Sequence, residues 1–538
     1  MDLDDILKEL GEFGNYQITI YTLLFFPLAL SSMASLSYVF TTGDIEYRCK
    51  IPECETNMTS FEEPWLLDAL PYHNGILTDR CKRRRAINND YHENCTSNLF
   101  YPNQIEDCHS FIFKTKENTI TKEFNLLCEE NKWKRTLVGT INNVGTFIGL
   151  PLAGILSDRF GRKRVVVTAV VVSSVIATLR SFSMNYIQFI ILEFMDALAS
   201  AGTYVGIFIL GIEITGPKGR SLGGVIQSSY YSIGVVILGI VVWLIDDWRI
   251  YLRVISLPCL LIISYYWLLP ESLRWLMTNK KKDEVFETLK KLSEKNKKPL
   301  TENIKKAIEE LGTTENMNMD ETNEELNNEA KVHPIKQLFR TRIMLLRFLN
   351  CSYCWITNTF VFYGLSLSSV AIAGNKYFNF ILVSFIEIPA YVITWLVIDV
   401  FGRKTSLSMS LVISGISCTM FHFIDADMQT IRLLLYLAGK CAITISFTVL
   451  YVCASEMFPT TIRNSLMGFC STLGRFGSMI APQMPLLAAY VDPVLIFGAA
   501  SFVAASLALY FPETLNCKMP DTIEEAEMLG REKTKESS

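Results

Sequence analysis

The string Asp158-Arg159-Phe160-Gly161-Arg162-Lys163 returns as Asp399-Val400-Phe401-Gly402-Arg403-Lys404, 241 residues further on. Two more landmarks repeat at nearly the same distance. Glu213 stands seven residues before Arg220, and Glu456 stands seven before Arg463, at an offset of 243. Pro270-Glu271-Ser272 returns as Pro512-Glu513-Thr514, at an offset of 242. Each landmark sits at the end of a long apolar run. A constant offset describes two halves of one design, joined in the same orientation.

Half of the 538 residues are hydrophobic and 19% are charged, so the chain is too apolar for an ordinary soluble protein of this length. The net charge of −4 gives no footprint for nucleic acid. A spanning helix needs about 20 mostly apolar residues. Candidate spans are Ile18–Phe40, Thr136–Leu156, Val165–Ser183, Tyr186–Ile212, Ser221–Ile245 and Tyr251–Leu269. After a long polar gap come Phe348–Ala373, Tyr377–Ile398, Thr405–Ile424, Ile431–Ser455, Ser465–Ala489 and Pro493–Phe511. The expected fold is therefore an all-α integral membrane protein, with twelve transmembrane helices in two six-helix halves. Ile18–Phe40 is too long for a cleaved signal peptide, and the residues before it are acidic.

Short loops carrying Arg159, Arg162, Lys163, Arg164, Lys218, Arg220, Arg403, Lys404 and Arg463 all fall on one side. Positive charge in short loops marks the cytoplasmic side. The expected order is a cytoplasmic N-terminus (1–17), a first span (18–40), an extracellular loop (41–135) and spans two to six (136–276). A cytoplasmic linker (277–342), spans seven to twelve (343–511) and a cytoplasmic tail (512–538) follow. The outer loop carries Cys49, Cys54, Cys81, Cys95, Cys108 and Cys128, an even set suited to disulfides in an oxidising compartment. The spacing leaves the pairing open, along with free thiols or a zinc cluster. Asn57 and Asn94 stand in glycosylation acceptor sequences. In the linker, Val285, Leu289 and Leu292 form one stripe of an amphipathic helix within Lys280–Leu311, and Gly312–Lys331 reads as a disordered acidic tether.

Twelve spans with the Asp-x-x-Gly-Arg-Lys turn resemble the major facilitator superfamily. The cysteine-bearing loop after span one narrows the resemblance to its organic cation, organic anion and carnitine transporters. So do Pro270-Glu271-Ser272-Leu273-Arg274-Trp275-Leu276, Phe385-Ile386-Glu387-Ile388-Pro389-Ala390-Tyr391 and Ser455-Glu456-Met457-Phe458-Pro459-Thr460-Thr461-Ile462-Arg463-Asn464. The resemblance implies a polyspecific organic-ion transporter of the plasma membrane that works by alternating access. It implies small organic ions as partners, with no cofactor and no metal. It further implies that Asp158, Arg162, Glu213, Arg220, Asp399, Arg403, Glu456 and Arg463 form cytoplasmic charge clusters. Such clusters would hold the halves together when the cavity opens outward. Setting topology alone is the simpler role for the same charges.

Charges inside spans are costly and so point to function. Glu387, Lys440 and Arg475 lie within spans eight, ten and eleven, where pairing with one another to fix the packing is the simpler role. Glu193 and Asp196 share a face of span four, where mutual pairing of buried acids and bases is the expected role. By resemblance, Arg475 and Gly439-Lys440 match the anion and carnitine branches, so a carboxylate-bearing or zwitterionic solute is expected, with Glu387 balancing an amine. A cation carrier with Glu387 as its counter-ion is the alternative. Trp355 and Tyr363 are two turns apart on span seven, and Tyr230 and Tyr231 lie beside Gln227 in span five. These aromatics, with Thr357 and Asn358, are expected to complete the pocket, although ordinary packing accounts for any one of them. No HExxH, GxSxG or phosphate-cradling loop occurs, which argues against an enzyme. A receptor or adhesion glycoprotein would not require duplicated turns.

Overall fold

The computed structural model describes residues 3–55, 60–73, 76–77, 79–87, 95–302, 304, 341–425, 427–460, 462–488, 490–515, 517, 519–520 and 522–529. Among them, twelve helical spans run back and forth. The first half holds Asn15–Leu36 with Tyr38–Thr41, Lys132–Phe160, Arg162–Arg180, Tyr186–Ser200 with Thr203–Glu213, Gly219–Leu244, and Trp248–Ser256 continued to Leu268. The second holds Arg342–Ser368, Lys376–Phe385 with Glu387–Phe401, Arg403–Phe423, Gln429–Met457, Arg463–Ile480, and Pro493–Ala508. Eight of these helices are long and apolar enough to cross a bilayer on that ground alone. Span three is not among them because Arg162, Lys163, Arg164 and Arg180 crowd its ends.

One face of the bundle carries the chain termini and the duplicated turns; we call it the terminal face. The opposite, loop face carries residues 41–135. There three antiparallel two-stranded ribbons pair Tyr47–Cys49 with Phe111–Phe113, Tyr72–His73 with Ile76–Leu77, and Lys82–Ala86 with Phe100–Asp107. All six cysteines are paired, as Cys49–Cys108, Cys54–Cys95 and Cys81–Cys128. The strand Lys82–Ala86 is basic, and local acids meet its Arg83: Glu53 and Glu106, both at 2.7 Å. The remaining eight cysteines are free, and six of them are buried in the helices. Asn57 and Asn94 lie outside the described residues, as does the expected tether Gly312–Lys331.

On the terminal face, helix Lys282–Asn296 buries Val285, Leu289 and Leu292, the stripe expected of it. They join one apolar cluster with Leu3, Ile6, Leu7 and Leu10 of helix Leu3–Leu10. The two halves meet mainly at the loop face. Thr136 donates to Gln483 at 3.0 Å and Thr140 to the Met479 carbonyl at 3.1 Å. A Cβ on Gly139 would run into Pro482 and Tyr38, and one on Gly239 into Ile381. Small residues at those points let the helices of opposite halves approach closely. Toward the terminal face, no hydrogen bond or ion pair among the described residues joins the halves, and Tyr451 and Phe469 are 42% and 41% exposed.

Candidate functional site

Each duplicated turn is built by a glycine and a carboxylate. Gly161 and Gly402 have φ of 100° and 84°, a region that L side chains rarely adopt. That conformation turns the next backbone N–H groups onto one acid. Glu271 accepts from the N–H of Lys163 at 2.9 Å and of Ser272 at 3.0 Å. Glu513 accepts from Arg403 at 3.0 Å, Lys404 at 3.2 Å, and Thr514 and Leu515 at 3.0 Å each. Around this frame Arg162 meets Asp158 at 3.2 Å and Glu213 at 3.8 Å. Arg403 repeats the arrangement with Asp399 and Glu456, both at 3.1 Å. Ser272 donates to Glu213, as Thr514 does to Glu456. Arg220 pairs with Asp4 at 2.5 Å, and Arg463 donates to the Phe458 carbonyl at 3.1 Å. All eight charged residues thus find their partners within their own half.

Midway through the membrane, the charges sort into a closed pair and an open cation. The Lys440 ammonium is fully buried, 2.9 Å from Glu387, and also donates to Ser366 at 2.7 Å and the Phe362 carbonyl at 3.1 Å. Ser232 of the first half donates to the other Glu387 oxygen at 2.6 Å. Burying such a pair is costly unless every lone pair and proton is satisfied, and here these bonds help to satisfy them. Arg475 differs. It is half-buried, and among the described residues no hydrogen bond or ion pair engages its guanidinium. Its place follows from its neighbours: a Cβ on Gly477 would strike the Ile356 carbonyl, and Gly474 lies against Trp355. Span eleven therefore hugs span seven and holds Arg475 near the aromatic group.

Both halves contribute aromatics. Trp355 packs on Tyr451 with centroids 4.3 Å apart and on Phe447 at 5.8 Å, and Phe362 contacts Tyr363 at 5.4 Å. From the first half come Tyr231 against Tyr204 at 5.4 Å and Tyr230 against Phe25 at 5.0 Å. Tyr451 lies in the field of Arg475. Several buried polar atoms have no hydrogen-bond partner among the described residues: Trp355 Nε1, Asn358 Oδ1 and Gln227 Oε1. Thr357 is buried beside them in sequence. Aromatic faces, a few unspent polar atoms and one uncompensated guanidinium suit an amphipathic organic ion.

Glu193 and Asp196 are buried in the first half with Arg180, which contacts both, Asp196 at 3.4 Å. Asn142 donates to Glu193 at 2.8 Å and Ser173 to Asp196 at 2.5 Å. Pairing with a buried base is the role expected of these two acids, but the sequence reading does not name Arg180 as that base. It likewise passes over Ser232, Tyr204, Phe447 and Tyr451.

A protein of this architecture, with two halves closed on one face around a charged aromatic centre, is a membrane transporter of the major facilitator fold. The xylose transporter XylE from E. coli, in a partially occluded inward-open conformation, superimposes with a TM-score of 0.61 at 15% identity, over 94% of this chain and 99% of that one. In its inward-open conformation the same transporter matches at 0.58 and 18% identity, over 76% and 93%. The pattern of the sugar (and other) transporter family matches residues 97–528, and the chain belongs to that family. Among its relatives, an organic cation transporter protein of Drosophila melanogaster is 28% identical, over 99% of this chain and 95% of that one. Organic cation/carnitine transporter 2 of Homo sapiens is also 28% identical, over 97% and 94%. The chain is thus a multi-pass membrane transporter and not an enzyme.

Proposed function

We propose that this protein carries organic ions across the plasma membrane by alternating access, and favours solutes that bear a carboxylate, zwitterionic or anionic. The observation behind this is the contrast between Lys440, neutralised by Glu387, and Arg475, whose guanidinium is unengaged beside the aromatic group. A guanidinium in a site of low dielectric grips a carboxylate in bidentate fashion. The relatives named as organic cation/carnitine transporters support the solute class. The duplicated charge clusters act as the gate, open in the state described here. The terminal face is cytoplasmic and the loop face extracellular, in keeping with the basic short loops.

An uptake panel of a quaternary cation, a zwitterion and an anion tests the reading. Arg475→Asp is expected to shift preference toward the cation by about tenfold or more, the scale of one charged hydrogen bond. Glu387→Gln is expected to shift it the other way. An unchanged ranking in Arg475→Asp, with cation uptake abolished in Glu387→Gln, would replace this reading with that of a cation carrier. Orientation has its own test: Asn57→Gln and Asn94→Gln each remove a glycosidase-sensitive shift, and Asn350→Gln removes none.

A further inference from the structure

Away from the centre, a cavity of about 590 Å³ lies between the halves at the loop face. Val39 and Gly139 of the first half and Val370, Ile372, Phe421 and Pro482 of the second are part of its apolar wall. Its charged lining is nearly all committed elsewhere. Arg135 pairs with Asp44 at 2.7 Å through a terminal nitrogen, although its Nε also lacks an acceptor, and Lys132 pairs with Glu129 at 3.2 Å. Asp492 meets His422 at 3.1 Å and caps the Val494 N–H at 3.0 Å. Arg432 is the exception. Its guanidinium lies 4.5 Å from the centroid of the Phe421 ring, and no hydrogen bond or ion pair among the described residues engages it. Its Nε is buried without an acceptor. A desolvated guanidinium N–H at an apolar wall is costly until an acceptor meets it, and a carboxylate presents two.

We propose that this cavity is a second ligand site, for an amphipathic organic carboxylate. The headgroup accepts from Arg432, and the apolar body lies along Val370, Ile372 and Pro482. Because both halves supply walls, the site is complete only while the loop face is closed. Resting on the alternating-access reading, occupancy holds that state and slows turnover without competing at the centre.

Octanoate is the probe, added from the loop-face side to cells expressing the full chain. At saturating substrate, which displaces octanoate from the centre, it is expected still to lower the maximal uptake rate. Arg432→Gln, judged against its own uninhibited uptake, should weaken octanoate about tenfold, the scale of one charged hydrogen bond. Val370→Trp, which fills the cavity, should abolish the effect. Octyltrimethylammonium, with the opposite charge, should not depend on Arg432. Octanoate should also raise the melting temperature of the purified protein, and less so in Arg432→Gln. An undiminished maximal rate, or equal potency on that rate in wild type and both variants, overturns the proposal. If no tested solute is taken up at all, the transport reading falls, and the melting shift still decides the cavity.

Discussion

The two halves carry the same turn and finish it differently. Glu513 gathers four backbone N–H groups, whereas Glu271 gathers two. The trailing arginines diverge further. Asp4, from helix Leu3–Leu10, holds Arg220 at 2.5 Å and Arg274 at 2.9 Å. Arg463 folds back on the Phe458 carbonyl and keeps its second terminal nitrogen buried without an acceptor. In the second half the terminal helix Ile523–Met528 engages a different arginine: the Ala526 and Leu529 carbonyls accept from Arg347. Duplication thus preserves what the backbone demands, the glycine and its carboxylate. It leaves the arginines to whichever terminal segment each half possesses.

The largest expected effect breaks the symmetry of the two carboxylates. Glu513→Ala strands two more N–H donors than Glu271→Ala, at about 1 kcal/mol or more each where they are buried. Thermal unfolding of the purified variants should place Glu513→Ala lower; equal melting points would make the halves equivalent. Next in size is the gate. Arg463→Ala and Asp158→Asn should slow turnover several-fold at normal surface abundance, about 1 kcal/mol of differential contact between states. Arg220→Ala, whose guanidinium is already held by Asp4, should do less. Cysteine labelling from each side reports the shift, and unchanged labelling with normal uptake would leave these charges a topological role only.

The smallest effect concerns pH. The hydrogen bond from Arg220, with help from Arg274, holds the Asp4 carboxyl below its ordinary range against a modest cost of burial. A lowered carboxyl contributes stability that is fully present above its ordinary value and is lost as pH falls through the lowered one. Docking of Leu3–Leu10 should therefore persist through the usual carboxylate range, about pH 4, and loosen only below it. Hydrogen exchange in residues 3–10 measures this, and Asp4→Asn should flatten the profile. Exchange that rises well above the carboxylate range would assign the docking to another group.

The helices and both turns were legible because charge is scarce in apolar runs and because the landmarks repeat. Glu271 and Glu513 stood out as repeated, but their role as backbone acceptors depends on the positive φ of Gly161 and Gly402, which composition does not reveal. Mutual pairing of buried charges was an open alternative for Glu387 and Lys440; that Ser232 of the other half joins them had no signal, since a serine in an apolar helix looks like any small packer. Arg180 did leave a signal. It ends span three a few residues before span four begins, so an antiparallel hairpin places it beside Glu193 and Asp196. Tyr204 and Tyr451 were hidden by abundance, for the chain holds 22 tyrosines and periodicity does not say which faces another half.

Glu117 shows how the outer segment is tethered. Its neighbour Asn118 is tied to the first half, its N–H donating to the Asp246 carbonyl at 2.8 Å and its amide to Asp247 at 2.9 Å. Glu117 itself reaches across to the second half, accepting from Lys376 at 2.7 Å and from the Tyr377 hydroxyl at 2.8 Å. Among the described residues, the disulfide-bound domain is therefore luggage of the first half, buttoned to the second by one carboxylate. On the alternating-access reading proposed above, opening of the loop face would part the ammonium and the phenol from this single side chain together, along with the bond between Thr136 and Gln483.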